Sequence, residues 1–385
     1  MTEQTCCNYL LNAPKRPAVK LSRKFSNIYK SDEIRRFHRR LRCYAPTPLV
    51  SLPMLAKSLG IKELLVKDES KRFRINTFKS LGASYAIAKI ISKRRKEKLI
   101  FCTATDGNHG RSVAWAARNS RQKSVIYVPK YTTEQRIKNI KKYTKEVIVV
   151  DGDYDKAVIT AREDAKKKGY ILVQDNSWEG YTEIPMHITA GYKTMMTEME
   201  NSIHPPEEPL VDFVFLQVGN GTWASSMVTY YRLRYPRKMP KLVSVEPAEC
   251  DCLLESFRNG KITRTTKNQQ TVLAGLRCGI PSLIAFEILK EGIDVFMSIP
   301  DSYAIKAMQD FYYPFKKDKQ IYAGESGAAG LGGLVAMACD PALQGLKKEI
   351  GLNEESRVLV FVTEGVTDSE VFEELLSKES ETVKS

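Results

Sequence analysis

A lysine placed where a polar loop gives way to an apolar helix can do carbonyl chemistry, and the stretch INTFKSLGAS, residues 75–84, carries one at Lys79. Asn76 and Thr77 precede it, and Ser80, Leu81, Gly82, Ala83, Ser84, Tyr85, Ala86 and Ile87 follow as a small-residue, apolar run that reads as a buried helix. Desolvation disfavours a charged amine, and a neutral amine attacks an aldehyde to form a Schiff base. The same lysine could snorkel from the helix end to solvent, as lysines near buried helices usually do.

Other candidate residues stand just after apolar runs that read as strands, where open parallel sheets bind their ligands. FCTAT ends in Asp106-Gly107-Asn108-His109-Gly110, a tight turn opening a helix, in which the glycines let a flat ligand approach and Asn108 can donate through its amide. Asp and Asn are also ordinary helix caps, so the turn alone leaves both readings open. YILVQD ends in Asp175, ahead of NSWEGYTEIP; this suits a pocket wall or a simple turn. FVFLQV runs into Gly219-Asn220-Gly221-Thr222-Trp223-Ala224-Ser225, a glycine loop whose successive N–H groups and helix start suit a phosphate. It is neither a Walker loop nor a dinucleotide fingerprint, and a glycine turn before a helix also serves packing. GESGAAGLGG, from Gly324, reads as a closely packed helix, with Glu325 and Ser326 needing partners if buried. RVLVFV ends in Thr363-Glu364-Gly365, which puts a hydroxyl at the sheet edge.

The elements that must hold these residues alternate. Short apolar strands (KLIFCTAT, KSVIYVPK, EVIVVDG, YILVQD, FVFLQVG, KLVSVEP, RVLVFVTEG) are separated by helices expected at 109–120, 132–143, 154–168, 183–200, from Trp223, and at 301–311. This is the pattern of an α/β fold with parallel sheets covered on both faces. No internal repeat occurs, so two unequal domains are expected, each an open, mostly parallel sheet flanked by helices. Residues 31–88 and 190–376 are expected to form the larger domain and 89–189 the smaller, with a flexible, poorly ordered basic arm at 1–30, a frayed tail at 377–385 and a less regular stretch at 250–300.

With 385 residues, 43% hydrophobic and 27% charged, the chain has the composition of a globular protein with room for about two to three domains. No apolar run approaches the roughly 20 residues that span a bilayer, and the N-terminus lacks a signal-peptide core, so no membrane association and a cytoplasmic location are expected. The net charge of +15 is spread over many helix faces rather than gathered beside aromatics, which argues against nucleic acid. Eight cysteines without metal-type spacing and four histidines argue against a zinc site; Cys250, Cys252 and Cys278 could approach one another in space.

Taken in order, PTPL, VKDESKRF, the NTFKSLGA lysine, DGNHGRS, VQDNSWEGYT, the glycine loop, AGLRCG, GESGA and TEGVTD resemble the fold type II pyridoxal-phosphate enzymes, and within them the ammonia-lyases acting on 2,3-diaminopropionate. The resemblance runs from about Tyr44 to Asp368. It implies that Lys79 forms the Schiff base with pyridoxal 5'-phosphate and that Phe78 stands beside the ring. By the same resemblance Asn108 bonds the phenolic oxygen, Gly219, Asn220, Gly221, Thr222, Trp223 and Ala224 hold the phosphate, and Thr363 meets the pyridine nitrogen. Asp106, where related dehydratases have serine, would attract a second substrate ammonium, and Asp106 and Asp175 would serve opposite faces as acid and base. The implied activity is α,β-elimination of ammonia from 2,3-diaminopropionate, a small amino-acid substrate, to pyruvate and ammonia by a homodimer.

The chain departs from that pattern in its shell. Asn220, Trp223 and Ser225 replace residues of the usual G-V-G-x-M-A-G loop, Val366 replaces an acid of T-E-G-D-T-D, and Arg74 stands where the family has glycine. A β-replacement synthase, another β-lyase or dehydratase, and a non-catalytic descendant remain alternatives at this level.

Overall fold

The computed structural model describes residues 6–12, 21–94, 97–202 and 208–378. Its strands, in chain order, are β1 (Asn8–Leu11), β2 (Leu49–Ser51), β3 (Glu63–Asp68), β4 (Ile100–Ala104), β5 (Lys123–Pro129), β6 (Glu146–Val150), β7 (Ile171–Leu172), β8 (Phe213–Gln217), β9 (Lys241–Pro247), β10 (Val295–Ile299) and β11 (Arg357–Val362). They form a seven-stranded sheet in the order β1-β10-β9-β8-β11-β3-β2 and a four-stranded sheet in the order β6-β5-β4-β7. All pairings are parallel except β1 with β10 and β2 with β3, the two edge pairs of the larger sheet. The α/β expectation is met.

The chain divides into two compact units: residues 1–21, 46–70 and 195–385 in the larger, and 22–45 with 71–194 in the smaller. This differs from the expected boundaries, which placed residues 31–45 and 71–88 with the larger domain. The cause is packing. The lysine helix, Lys79–Lys93, crosses the helix Glu183–Gly191 at backbone contact. A Cβ on Gly191 would stand 2.7 Å from the Leu81 carbonyl oxygen, and one on Gly82 would stand 2.6 Å from the Tyr192 ring. Two small residues thus let the helices meet and hold the lysine helix to the smaller sheet's unit.

The larger unit's core is a continuous apolar cluster. It runs from Leu55 and Leu64 through Phe213, Val243 and Met297 to Leu331, Leu334 and Val358, as expected of strands buried on both faces. In the smaller unit Cys102, Ala104, Val125 and Tyr127 pack on Ala157, Ala161 and Ala165 of the helix Tyr154–Lys168, whose span matches the expectation. Inside the larger unit one charged cluster is buried: Lys67 Nζ donates to Glu198 Oε2 (2.8 Å) and to the Thr47 carbonyl (2.7 Å), while Thr47 Oγ1 donates to Glu69 (2.5 Å).

Three other expectations need correction. The basic arm is not structureless where it is described, because residues 8–11 pair with β10 and Arg23–Lys30 is a helix capped by Ser22. Residues 1–5 and 13–20 of that arm, and 379–385 of the tail, lie outside the described residues, and Ser377 closes the helix Ser369–Ser377. The stretch 250–300 contains the helices Cys252–Arg258 and Leu283–Gly292 and the strand β10; short elements and polar interruptions hid its periodicity. Finally, the long helix expected at 183–200 is two helices meeting at Tyr192, whose buried ring lies 4.8 Å from that of Phe78.

Candidate active site

In the smaller unit, Lys79 is the first residue of its helix, as the loop-to-helix reading requires, and its N–H is met by the Thr77 hydroxyl. Its amine neither snorkels freely nor sits bare in apolar surroundings. Nζ donates to Asp175 Oδ2 at 2.9 Å, with 20% of the lysine side chain exposed and 5% of the aspartate's. The structure therefore brings together two candidates 96 positions apart in the chain.

Asp175 is positioned by a substitute for strand pairing. β7 is only two residues long, but the Val173 N–H donates to the Cys102 carbonyl, and the Gln174 amide oxygen then takes the Ala104 N–H and the Thr103 hydroxyl. The Tyr181 hydroxyl accepts from the Gln174 N–H and donates to the Leu172 carbonyl, and Trp178 stacks on Tyr181 (4.4 Å), which closes the loop after Asp175. Burial opposes ionisation of Asp175. The Lys79 charge and the hydrogen bond from Lys79 outweigh it, joined by the His109 ring only when that ring carries a second proton, and hold the carboxyl down at about 2.

His109 escaped the sequence reading as anything more than a turn residue. It is buried, its Nε2 is 2.7 Å from the Val173 carbonyl oxygen, and its Nδ1 is 3.6 Å from Asp175 Oδ2. Burial pushes the ring below its ordinary value, with Lys79 acting the same way and Asp175 and the Val173 carbonyl opposing. Its neighbour Asn108 is held by Arg111, whose Nη2 donates to Asn108 Oδ1 at 2.8 Å. That bond fixes which end of the amide is oxygen, leaving the amide NH2 as the other face. Asp106 stands half-buried at the head of the same turn.

In the larger unit, the loop after β8 is built to expose main chain. Gly221 has φ +85°, and a Cβ there would lie 2.7 Å from Leu289 Cδ1; one on Gly219 would lie 3.1 Å from the Leu276 Cα. Asn220 turns inward, its Oδ1 accepting the Thr222 N–H and its carbonyl accepting the Ser282 N–H. The 13-residue helix Thr222–Arg234 starts here, and the first turn of any helix offers N–H groups that no helical carbonyl takes. The two large departures from the family loop face away from it. Trp223 is buried edge-on against Phe361 of β11 (5.1 Å), and the Ser225 hydroxyl donates to the Thr222 carbonyl.

Thr363, at the end of β11, is buried and accepts a hydrogen bond from Gln217 Nε2 at 3.1 Å; the same amide group also donates to the Phe361 and Gly327 carbonyls. Gln217 was missed although a signal existed, a lone polar residue in the apolar run FVFLQV. The GESGA motif has a packing role: the Gly324 N–H donates to the Glu364 carbonyl, and Ser326 Oγ accepts the Gly275 N–H. Cys250, Cys252 and Cys278 are free, buried thiols, and Cys278 hydrogen-bonds Cys252, pushing that thiol well up together with burial.

The smaller unit thus carries an amine ion-paired at a helix start to a buried carboxylate, and the larger unit carries a glycine loop at a helix start and an uncharged hydroxyl at a strand end. The chain belongs to the pyridoxal-phosphate dependent enzymes, whose family model matches residues 41–364. Among characterised relatives it is similar to the diaminopropionate ammonia-lyase of Escherichia coli K12, with 39% identity over 89% of this chain and 90% of that one. Solved structures of the Escherichia coli enzyme agree. The complex with an aminoacrylate-PLP azomethine reaction intermediate matches with TM-score 0.87 and 36% identity, covering 97% of both chains. The D-serine complex matches with TM-score 0.89 and 35% identity, over 98% of this chain and 99% of that one. The residues present fit the cofactor: Gly219 and Gly221 pack against Leu276 and Leu289 with no room for a side chain, which leaves bare main chain at the start of the helix, and the lysine is reachable from solvent yet paired.

Proposed function

We propose that this chain is a pyridoxal 5'-phosphate-dependent lyase that eliminates ammonia from 2,3-diaminopropionate. The observation that carries the reading is the Lys79–Asp175 pair, a part-exposed amine 2.9 Å from a buried carboxylate that leads into a loop clamped by Tyr181. Bound, the cofactor supplies an electron sink for the charge left at Cα when a proton is removed. Lys79 would carry it, N–H groups of the loop from Gly219 to Ala224 would hold its phosphate, Asn108 would donate its amide NH2 to the phenolic oxygen, and the Thr363 hydroxyl would meet the ring nitrogen without charging it. Phe78 packs beside the ring.

With Lys79 engaged by the cofactor, Asp175 would lose its ion pair and its carboxylate would be available as a base for the Cα proton. Asp106 attracts the substrate's second ammonium and serves the opposite face. Loss of the β-amino group as ammonia leaves a three-carbon enamine, which water converts to pyruvate and a second ammonia. The proposed protein is a cytoplasmic homodimer taking a small amino acid; no described helix is long and apolar enough to cross a membrane.

The test is a visible spectrum of the purified protein, followed by addition of D- and L-2,3-diaminopropionate with pyruvate and ammonia measured. A visible band that is absent in Lys79→Ala, and pyruvate release unaffected by an added thiol, are expected. A band that shifts without pyruvate, or pyruvate replaced by a thiol adduct, would overturn elimination in favour of β-replacement. No band after addition of the cofactor would overturn the enzyme reading.

A further inference from the structure

We infer that His109 is a positioning residue and proton store for Asp175: the two side chains form one acceptor, in which a proton taken by the carboxylate is shared with His109 Nδ1. The inference rests on the proposed role of Asp175 as base.

A carbonyl oxygen can only accept, so the contact of His109 Nε2 with the Val173 oxygen at 2.7 Å places a proton on Nε2. A neutral ring then has its lone pair at Nδ1, and that atom faces Asp175 Oδ2 at 3.6 Å. Among the described residues Nδ1 has no hydrogen-bond partner. In the resting pair, Asp175 is ionised and bonded to Lys79, so the Asp175–His109 contact joins two acceptors with no proton between them. Such a contact can take up one proton.

Three features keep the ring neutral until that proton arrives. It is buried, the Lys79 ammonium is bonded to the same Asp175 oxygen, and His109 occupies the first turn of the helix Asn108–Asn119, where the helix dipole disfavours a cation. The groups that bear on the pair's titration are Lys79 from its helix, Tyr181 from the clamping loop and Tyr192 beyond Phe78. Both tyrosines are pushed up, by burial first; Asp175 adds to the shift of each and Cys102 to that of Tyr181, so both remain neutral. When Asp175 accepts the Cα proton, Oδ2–H can donate to Nδ1, or the proton can cross to give an imidazolium beside a carboxylate. Either state satisfies both buried atoms, and neither needs another reactant: the bond broken is C–H, the bond formed is O–H or N–H, and the same proton is available to return.

His109→Gln tests this because its side-chain amide can still donate to Val173 but cannot take up a proton. In the holoenzyme the variant is expected to bind cofactor as the native protein does and to lose turnover on the order of tenfold, the size of a hydrogen bond to a charged group. The loss should fall on the same enantiomer that Asp175→Asn disables, and the acid limb of its kcat/KM profile should move to lower pH because the remaining base is weaker. A second readout is independent of activity. With four histidines in the chain, nitrogen NMR of histidine-labelled holoenzyme resolves His109 by its loss in the variant, and Nδ1 is expected unprotonated and Nε2 protonated at neutral pH.

A proton on Nδ1 at neutral pH would overturn the inference, as would a His109→Gln variant that slows both enantiomers equally with an unmoved acid limb. If Asp175→Asn leaves both enantiomers at full turnover, the assignment of Asp175 as base fails and takes this inference with it. If Asp175→Asn is selective and His109→Gln is not, only the inference fails.

Discussion

Arg74→Gly should stabilise the protein by about 1 kcal/mol, although it removes a side chain five residues before Lys79. Three residues of the approach to Lys79 lie in left-handed backbone: Phe73 at φ +49°, Arg74 at +61° and Asn76 at +58°. Two have evident compensation. The Phe73 ring packs 4.9 Å from Trp115 and 6.1 Å from Tyr44, and asparagine tolerates this region better than most residues. Arg74 is exposed and its backbone N–H bonds the Lys71 carbonyl, a bond glycine keeps. A left-handed non-glycine residue costs about 1–2 kcal/mol. Glycine's extra freedom in the unfolded chain offsets about 0.4–1 kcal/mol of that, leaving a net gain of about 1 kcal/mol. The assay is urea unfolding of wild type, Arg74→Gly and Arg74→Ala under one set of conditions. Alanine retains the Cβ that causes the strain, so it should match wild type within a few tenths of a kcal/mol. If alanine stabilises as much as glycine, the strain argument is wrong and the arginine side chain itself is unfavourable there.

Lys67→Met leaves Glu198 in the interior without its ammonium and should cost about 3–5 kcal/mol, whereas Lys67→Met with Glu198→Gln should recover part of it; additive single losses in chemical unfolding would refute coupling. His187 gives a pH dependence: burial first, then the Lys89, Lys93 and Lys24 charges against the pull of Glu183, lower its ring from an ordinary 6.5 to about 4. The unfolded chain therefore binds this proton first as pH falls, so stability contributed by the neutral ring is present above about 6.5 and is lost down to about 4. His187→Gln should flatten that segment of the stability curve relative to wild type, and parallel curves would count against it.

Much of the architecture is written in short-range pattern. Strands buried on both faces, such as FVFLQ and RVLVFV, read as apolar runs, and the helix Tyr154–Lys168 is bounded by an Asp153 cap and a left-handed Gly169. What pattern cannot supply is the partner of a contact. The crossing of Gly82 with Gly191 draws the lysine helix into the smaller unit, and nothing in either window names the other. Lys79 and its following run were legible as a buried helix start, but the carboxylate that answers the amine lies 96 positions on. His109, Arg111 and Gln217 were visible as residue types, and each acts through an atom whose meaning comes from a carbonyl, amide or hydroxyl outside its own window or one turn away. The arm failed differently: basic composition suggested disorder, while Asn8–Leu11 gains its order from pairing with β10 far along the chain.

The inward set of Trp223 and Ser225 bears on how this chain's ancestry is to be read. A ligand gripped by main-chain N–H groups leaves no imprint on side-chain identity at positions whose side chains face the core. Such positions are free to follow the fashions of core packing, here an indole against Phe361, without altering the main chain beside them. Divergence of the loop's letters is therefore a poor clock for loss of cofactor. Gly219 and Gly221, by contrast, have no room to vary, because Leu276 and Leu289 stand against them, and both are present.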